Sequence, residues 1–149
     1  MIARTRDDAG IARGRFLGDV SPAQTWRDLR DRAEAVLVDV RTRAEWAYVG
    51  GPDLVDLGKP VVRVEWLTFP TMEDNPDFLE ELREQGVTPD RTVYLICRSG
   101  ARSRQAAELL AWHGYATYNV ADGFEGQIDA AGHRGVGGWR AEGLPWRQS

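Results

Sequence analysis

The sequence predicts an α/β fold, three layers deep, with a central mostly parallel sheet flanked by helices. Three observations predict it. Val36-Leu37-Val38-Asp39-Val40 and Thr92-Val93-Tyr94-Leu95-Ile96 are apolar, β-branched runs too continuous for strands with one wet face; strands covered on both faces are the mark of a parallel sheet. Helix-forming stretches alternate with these runs, the order of βα units. The 149 residues suit one domain, and 42% hydrophobic with 28% charged residues is the make-up of a chain that buries a core.

Each element has its own signal. Residues 1–18 are polar and Gly-punctuated, which predicts a loose lead-in. Ser21-Pro22 offers an N-cap with proline at the first helical position, and Ala23 to Ala35 carries Trp26, Leu29 and Ala33 on one stripe. The strand Val36 to Val40 follows, then a short helix, RAEWAY, stopped by Gly50-Gly51-Pro52. Val61 to Leu67 predicts a second strand. Asn75-Pro76 caps a helix with Phe78, Leu79 and Leu82 inward, ended by Gly86. The strand Thr92 to Ile96 runs into CRSGARS; Arg104 to His113 predicts the next helix, with Gly114 closing it. Thr117 to Val120 is a short last strand. Four glycines fall between Gly132 and Gly138, so 126–138 reads as a Gly-rich loop insertion before a tail packed by Trp139, Leu144 and Trp146. Of the six tryptophans, Trp66, Trp112, Trp139 and Trp146 lie in or beside predicted core elements, and packing accounts for them. All of 1–149 is expected to be a single domain.

Bulk properties narrow the function. A formal net charge of −4 gives no overall attraction to phosphate backbones or acidic lipid surfaces, so neither nucleic acid nor membrane is an expected partner. A lone cysteine excludes an internal disulfide and any Cys-rich metal cluster, and it fits a reducing compartment. The N-terminal segment lacks the apolar run of a secretory signal, and no stretch approaches the roughly 20 apolar residues of a membrane span. The cytoplasm is the expected compartment, with no metal and no cofactor.

The chemistry-bearing string is strand, CRSGARS, helix. In open α/β sheets ligands bind beyond the carboxyl ends of the strands, and Cys97 sits at that edge. Gly100 permits a tight path with φ > 0, and Ser99, Ala101 and Ser103 are small. Such a loop turns successive N–H groups inward as an anion-binding nest, and the helix behind it adds the positive end of its dipole. Arg98, Arg102 and Arg104 add cations nearby. Thiols at helix N-termini beside cations ionise more readily than free cysteine, so Cys97 is expected to stand largely as thiolate at neutral pH, ready as a nucleophile. A lone cysteine at a buried strand end is more often an inert small hydrophobe; the glycine, serines and arginines around Cys97 argue against that. For Arg98 and Arg102 the competing reading is a solvated surface charge.

These residues resemble a known family. CRSGARS after an apolar strand resembles the active-site loop of rhodanese-homology domains, Cys-Arg-x-Gly-x-Arg/Thr-Ser. VLVDVRTRAEW resembles the family's other signature, a strand ending Asp-Val-Arg before a short helix with a Glu-aromatic pair. VADGFEG and the terminal GW…GLPW resemble its closing segment. The resemblance runs from about Val36 to Trp146, in the expected order. It implies a rhodanese-like fold and a catalytic Cys97 that becomes persulfidated. Residues Arg98, Ser99, Gly100, Ala101, Arg102 and Ser103 would form the substrate-binding or anion-binding loop. The six residues from Cys97 to Arg102 match the shorter form of the loop, which suits sulfur; a loop one residue longer suits phosphate in the related dual-specificity phosphatases.

The implied activity is that of a thiosulfate sulfurtransferase-like enzyme. It would take sulfane sulfur from a small sulfur-containing anion or persulfide donor and pass it to a thiol or cyanide acceptor. Two alternatives stand beside it: a regulatory or redox-sensing rhodanese-like module, and a cysteine-dependent phosphatase or arsenate reductase. Asp39 and Arg41 match the first signature as supporting residues. Asp39 is expected either to brace Arg98 or the loop backbone, or to act as a plain strand-end turn acceptor; Glu45 is expected in a structural salt bridge, with Arg41 as the partner. The family usually shows Gly-His-Ile after the short helix, where this chain has VGGPDLVDLGKPV. The long 126–138 segment either folds over the site, bringing His133 and Arg134 to the substrate, or is an exposed Gly-rich loop.

Overall fold

Side-chain alternation along two buried strands organises the fold, seen in a computed structural model whose described residues are the pair Thr5–Arg6 and residues 12–148. The main elements are β1 (Arg15–Val20), α1 (Pro22–Asp31), β2 (Ala35–Asp39), α2 (Arg43–Tyr48), β3 (Val62–Arg63), α3 (Phe78–Glu84), β4 (Thr92–Ile96), α4 (Ala101–Trp112) and β5 (Ala116–Val120). The five strands form one sheet in the order β1-β5-β4-β2-β3, and every pairing is parallel. Val36 and Val38 of β2 and Val93 and Leu95 of β4 point into a cluster with Phe78, Leu82, Ala107 and Leu110, from α3 and α4. Their neighbours Leu37, Tyr94 and Ile96 point the other way, to Leu29 of α1 and to Phe124 and Trp139 of the closing segment. This is a three-layer sandwich, because period 2 sends alternate side chains to opposite faces. Burying one such leucine or phenylalanine side chain is worth about 1.5–3 kcal/mol. The Tyr94 hydroxyl also donates to Asp28 Oδ2 (2.6 Å), tying the central strand to α1.

Several boundaries differ from the sequence reading. The lead-in is not loose throughout: Arg15–Val20 is an edge strand, paired with β5 from Ala116↔Arg15 to Val120↔Val20. Residues 1–4 and 7–11 of that lead-in lie outside the described residues. Helix α1 stops at Asp31 instead of Ala35, since Arg32 turns extended (φ −119°, ψ 117°) and releases the chain into β2. The second strand is short. Only Val62–Arg63 pairs with β2, although Val64 N and Trp66 N still donate to Asp39 O and Val40 O (3.2 Å each). Leu67–Thr68 instead pairs antiparallel with Glu73–Asp74 as a small hairpin. Among the tryptophans, Trp139 is fully buried but Trp112 is exposed, on the outer side of α4.

The 126–138 segment is a pinched excursion. A Cβ on Gly126 would meet Gly137 O at 2.4 Å, so its two ends touch. Its middle, including His133, Ile128 and Val136, is exposed. Among the described residues no helix is long and apolar enough to cross a membrane.

Candidate active site

Where β4 ends, Gly100 adopts φ 111° and serves as the N-cap of α4, so the helix starts at Ala101, not at Arg104 as the sequence suggests. That early start matters. The first N–H groups of a helix have no partner inside it, and Ser103 N is among them. It donates to Cys97 Sγ (3.3 Å), as does Gly100 N (3.1 Å), while Ser103 Oγ lies 3.2 Å from the same sulfur. Donors on fixed backbone favour negative charge on the atom they surround.

Ser103 Oγ also has a short contact to Asn119 Oδ1. A hydroxyl carries one proton and cannot donate to both. Directed at Sγ, that proton serves a thiolate; directed at Asn119, it leaves an oxygen lone pair for a protonated thiol. Asn119 is held in turn, its Nδ2 donating to Asp19 Oδ1 (3.0 Å).

The closing segment clamps the loop from behind. Phe124 N donates to Cys97 O (2.8 Å) and Glu125 N to Arg98 O (2.9 Å). Gly123 lies so close that a Cβ there would sit 2.4 Å from Cys97 O. Cys97 is 1% exposed.

Two arginines of the loop are ion-paired. Arg98 Nε meets Glu125 Oε2 at 3.1 Å. Arg102 makes a two-pronged pair with Glu45, at 2.8 and 3.1 Å. Burial alone would lower the Arg102 pKa, but the Glu45 hydrogen bond and charge outweigh it and leave it raised. Burial likewise pushes the Glu45 carboxyl up, and the bonds and charge of Arg102, with the Thr42 N–H, outweigh that and hold it below its usual range. Thr42 N donates to Glu45 Oε1 (3.1 Å) and Glu45 N to Thr42 Oγ1 (3.3 Å), the reciprocal capping box of α2. Glu45, Arg98, Arg102 and Glu125 share one hollow of about 400 Å³ with Val49, Phe69 and Met72.

A second hollow, of about 310 Å³, lies against Ser99, Gly100, Ala101 and Asn119. Gln127 lines it too and donates to Ser99 O. Arg104 is not at the sulfur: its guanidinium is 3.7 Å from Asp19 and over the Phe16 ring.

The expected pairing of Glu45 with Arg41 is corrected, as is the bracing of Arg98 by Asp39. Asp39 and Arg41 pair with each other, both fully buried, with Arg41 Nη2 donating to Asp39 Oδ2 (2.7 Å) and Gly50 O (2.6 Å). Asp39 Oδ1 also accepts from Arg41 N (3.1 Å), the strand-end turn acceptor the sequence offered as one alternative. The Arg41 guanidinium lies 4.6 Å over the Phe124 ring, bracing the clamp on the cysteine loop. His133 is exposed, and Arg134 Nη1 donates to Gly126 O; neither lines the two hollows beside the loop. Asn119, Glu125 and Gln127 were missed. Asn119 had a signal, a polar residue inside a buried strand, whereas the other two sit in turns that only the fold brings back to Cys97.

The fold and site define a class: α/β proteins whose central parallel sheet delivers a single thiol to backbone donors at the start of a helix. A family model described as the STR4 middle domain matches residues 17–149. The crystal structure of Rv0390 from M. tuberculosis superposes with a TM-score of 0.81 at 52% identity, covering 91% of this chain and 100% of that one. Rhodanese-like domain-containing protein 4, chloroplastic, from Arabidopsis thaliana is 33% identical over 114 residues, 75% of this chain and 22% of that protein. A protein named Sulfurtransferase from Allochromatium vinosum is 32% identical over 117 residues, 78% of this chain and 82% of its own. The chain belongs to the rhodanese-like family, which is of sulfurtransferase type.

Proposed function

We propose that this protein is a sulfurtransferase that carries sulfane sulfur as a persulfide on Cys97. The observation that supports it most is the convergence of Gly100 N, Ser103 N and Ser103 Oγ on one sulfur. A thiolate is the nucleophilic form of cysteine, and these donors are placed to stabilise it without a histidine.

The chemistry runs in two displacements. The Cys97 thiolate attacks the outer sulfur of thiosulfate or of a persulfide. A bond forms between Sγ and that sulfur, the donor's S–S bond breaks, and sulfite or a thiolate leaves with the electron pair. An acceptor thiolate or cyanide then attacks the outer sulfur, and Cys97 leaves as thiolate. Gly100 N and Ser103 N face Sγ, and preorganised donors of this kind lower barriers at the atom they surround. Donor and acceptor would be met in the cytoplasm, without metal or cofactor.

Mass spectrometry after incubation with thiosulfate and with a persulfide should show Cys97 heavier by one sulfur atom, and addition of cyanide or a thiol should remove it. Cys97→Ser should lose all transfer. A wild-type protein that gains no sulfur from either donor would refute the proposal. Loading without acceptor-driven release would mark a sulfur-sensing module, and hydrolysis of an aryl phosphate lost in Cys97→Ser would mark a phosphatase.

A further inference from the structure

The hollow beside the cysteine loop carries paired charges, and Arg140 also reaches Glu125 from outside it (3.9 Å). Its two arginines, Arg98 and Arg102, are each matched to a glutamate, Glu125 and Glu45. Both carboxylates are fixed: Glu125 is 11% and Glu45 19% exposed, and Glu45 also accepts from Thr42 N and Thr42 Oγ1. A dianion entering this mouth meets two carboxylates at close range. To engage Arg102 it must compete with a carboxylate that already holds the guanidinium by two bonds, while that carboxylate stays in place to repel it.

The rest of the lining is largely apolar. The small hairpin of Leu67–Thr68 and Glu73–Asp74 holds Phe69 and Met72 at its tip, 42% and 44% exposed, beside Val49 and Ala44. Contacts fix that tip: Arg43 Nη2 donates to Phe69 O (3.0 Å), and Glu65 Oε2 accepts from Phe69 N (3.3 Å). A supported apolar lip thus shares one hollow with two arginines already matched to carboxylates.

We infer that the donor this site selects is an organic persulfide, R–S–SH with an apolar R group, and that Glu45 and Glu125 are specificity-determining residues that disfavour thiosulfate. The inference rests on the sulfurtransferase reading above. The Cys97 thiolate attacks the outer sulfur of R–S–SH, the S–S bond breaks, and R–S⁻ leaves with the electron pair along the Phe69–Met72 lip. The outer sulfur keeps its proton, so Cys97–S–SH forms and the total charge is unchanged.

The test compares kcat/KM for propyl persulfide, generated in situ, with that for thiosulfate, in wild type, Glu45→Gln, Glu125→Gln and Met72→Asn. Glutamine keeps the capping box of α2, and asparagine tolerates the left-handed backbone of Met72 (φ 59°); thermal melts check that each variant folds. Both Glu→Gln changes should raise kcat/KM for thiosulfate relative to propyl persulfide by about tenfold, the gain of one charge-assisted hydrogen bond, chiefly through a lower KM for thiosulfate. Met72→Asn should move the same ratio in the same direction, by weakening use of the alkyl donor. A wild type that prefers thiosulfate, or a ratio that none of the three variants shifts, overturns the inference while leaving sulfur transfer intact. Failure of both donors to load Cys97 removes the underlying reading, and the inference with it.

Discussion

Two glycine-bearing loops lie side by side in this protein, and they behave as opposites. Residues 97–103 leave a central strand and enter a helix within a few residues; their carbonyls accept from Phe124 N and Glu125 N, and their amides reach inward to sulfur. Residues 126–138 leave and return through a pinched neck, bond mainly to themselves around Asp129, and hold most side chains in solvent. Glycine is needed in both for the backbone path. What separates them is how many independent elements hold the backbone, and that decides which loop can fix a reacting atom.

Glycine substitution breaks the comparison most directly. Gly123 (φ 55°) and Gly132 (φ 82°) both have left-handed backbones, but a Cβ on Gly123 would strike Cys97 O at 2.4 Å and Arg98 O at 2.7 Å, whereas one on Gly132 meets nothing within 4 Å. Gly123→Ala should therefore destabilise the fold by on the order of 4 kcal/mol, where backbone strain and overpacking act together, and abolish transfer. Gly132→Ala should cost only about 1–2 kcal/mol, the left-handed penalty by itself, with transfer retained. Urea titrations of the two variants give both numbers. Equal losses would mean that the clamp is not what distinguishes the loops.

The same contrast explains what the sequence disclosed. The strands β2 and β4 were legible because they are covered on both faces, and the cysteine loop because it is built from consecutive residues between two clear signals. The edge strand β1 was not: RFLGDV has one open side, a glycine inside it and no continuous apolar run. The sheet recruits it through β5, a partner about 100 residues away. Ion pairing was illegible for a related reason. Glu45 lies four residues from Arg41, its expected partner, but Arg41 pairs with Asp39 and lies over the Phe124 ring, and Arg102 arrives from 57 residues away. Short-range spacing reports helix-face neighbours; it does not report which loops a parallel sheet brings to one edge.

Ser103 sharpens the case for the clamped loop at an intermediate size of effect. Ser103→Ala removes one of the three groups that face Sγ but keeps the N–H that donates to it. Loss of a hydrogen bond to a charged group is worth about 1.5–3 kcal/mol, so kcat/KM for persulfide formation should fall roughly 10- to 100-fold. A single-turnover assay followed by mass spectrometry reads that step alone. An unchanged rate would show that the hydroxyl keeps its proton on Asn119 throughout, leaving the backbone amides as the only donors to the sulfur.

The smallest effect concerns acid. Glu45 anchors the clamped loop through Arg102, and its carboxyl is held below the ordinary range. A group whose folded pKa is depressed contributes stability above its unfolded pKa and loses it as pH falls through the folded value. The pair is partly solvated, so its contribution should stay below about 1 kcal/mol. Stability measured from neutral pH downward should therefore show wild type ahead of Glu45→Gln near neutrality, with the gap closing once Glu45 takes up its proton. Hydrogen exchange should locate the change, with protection of residues 100–104 falling in acid while the exposed 126–138 segment, which has no tie to Glu45, keeps its own pattern. If the two stability curves run parallel down to low pH, Glu45 holds the loop by shape alone and its charge is free to act on the donor.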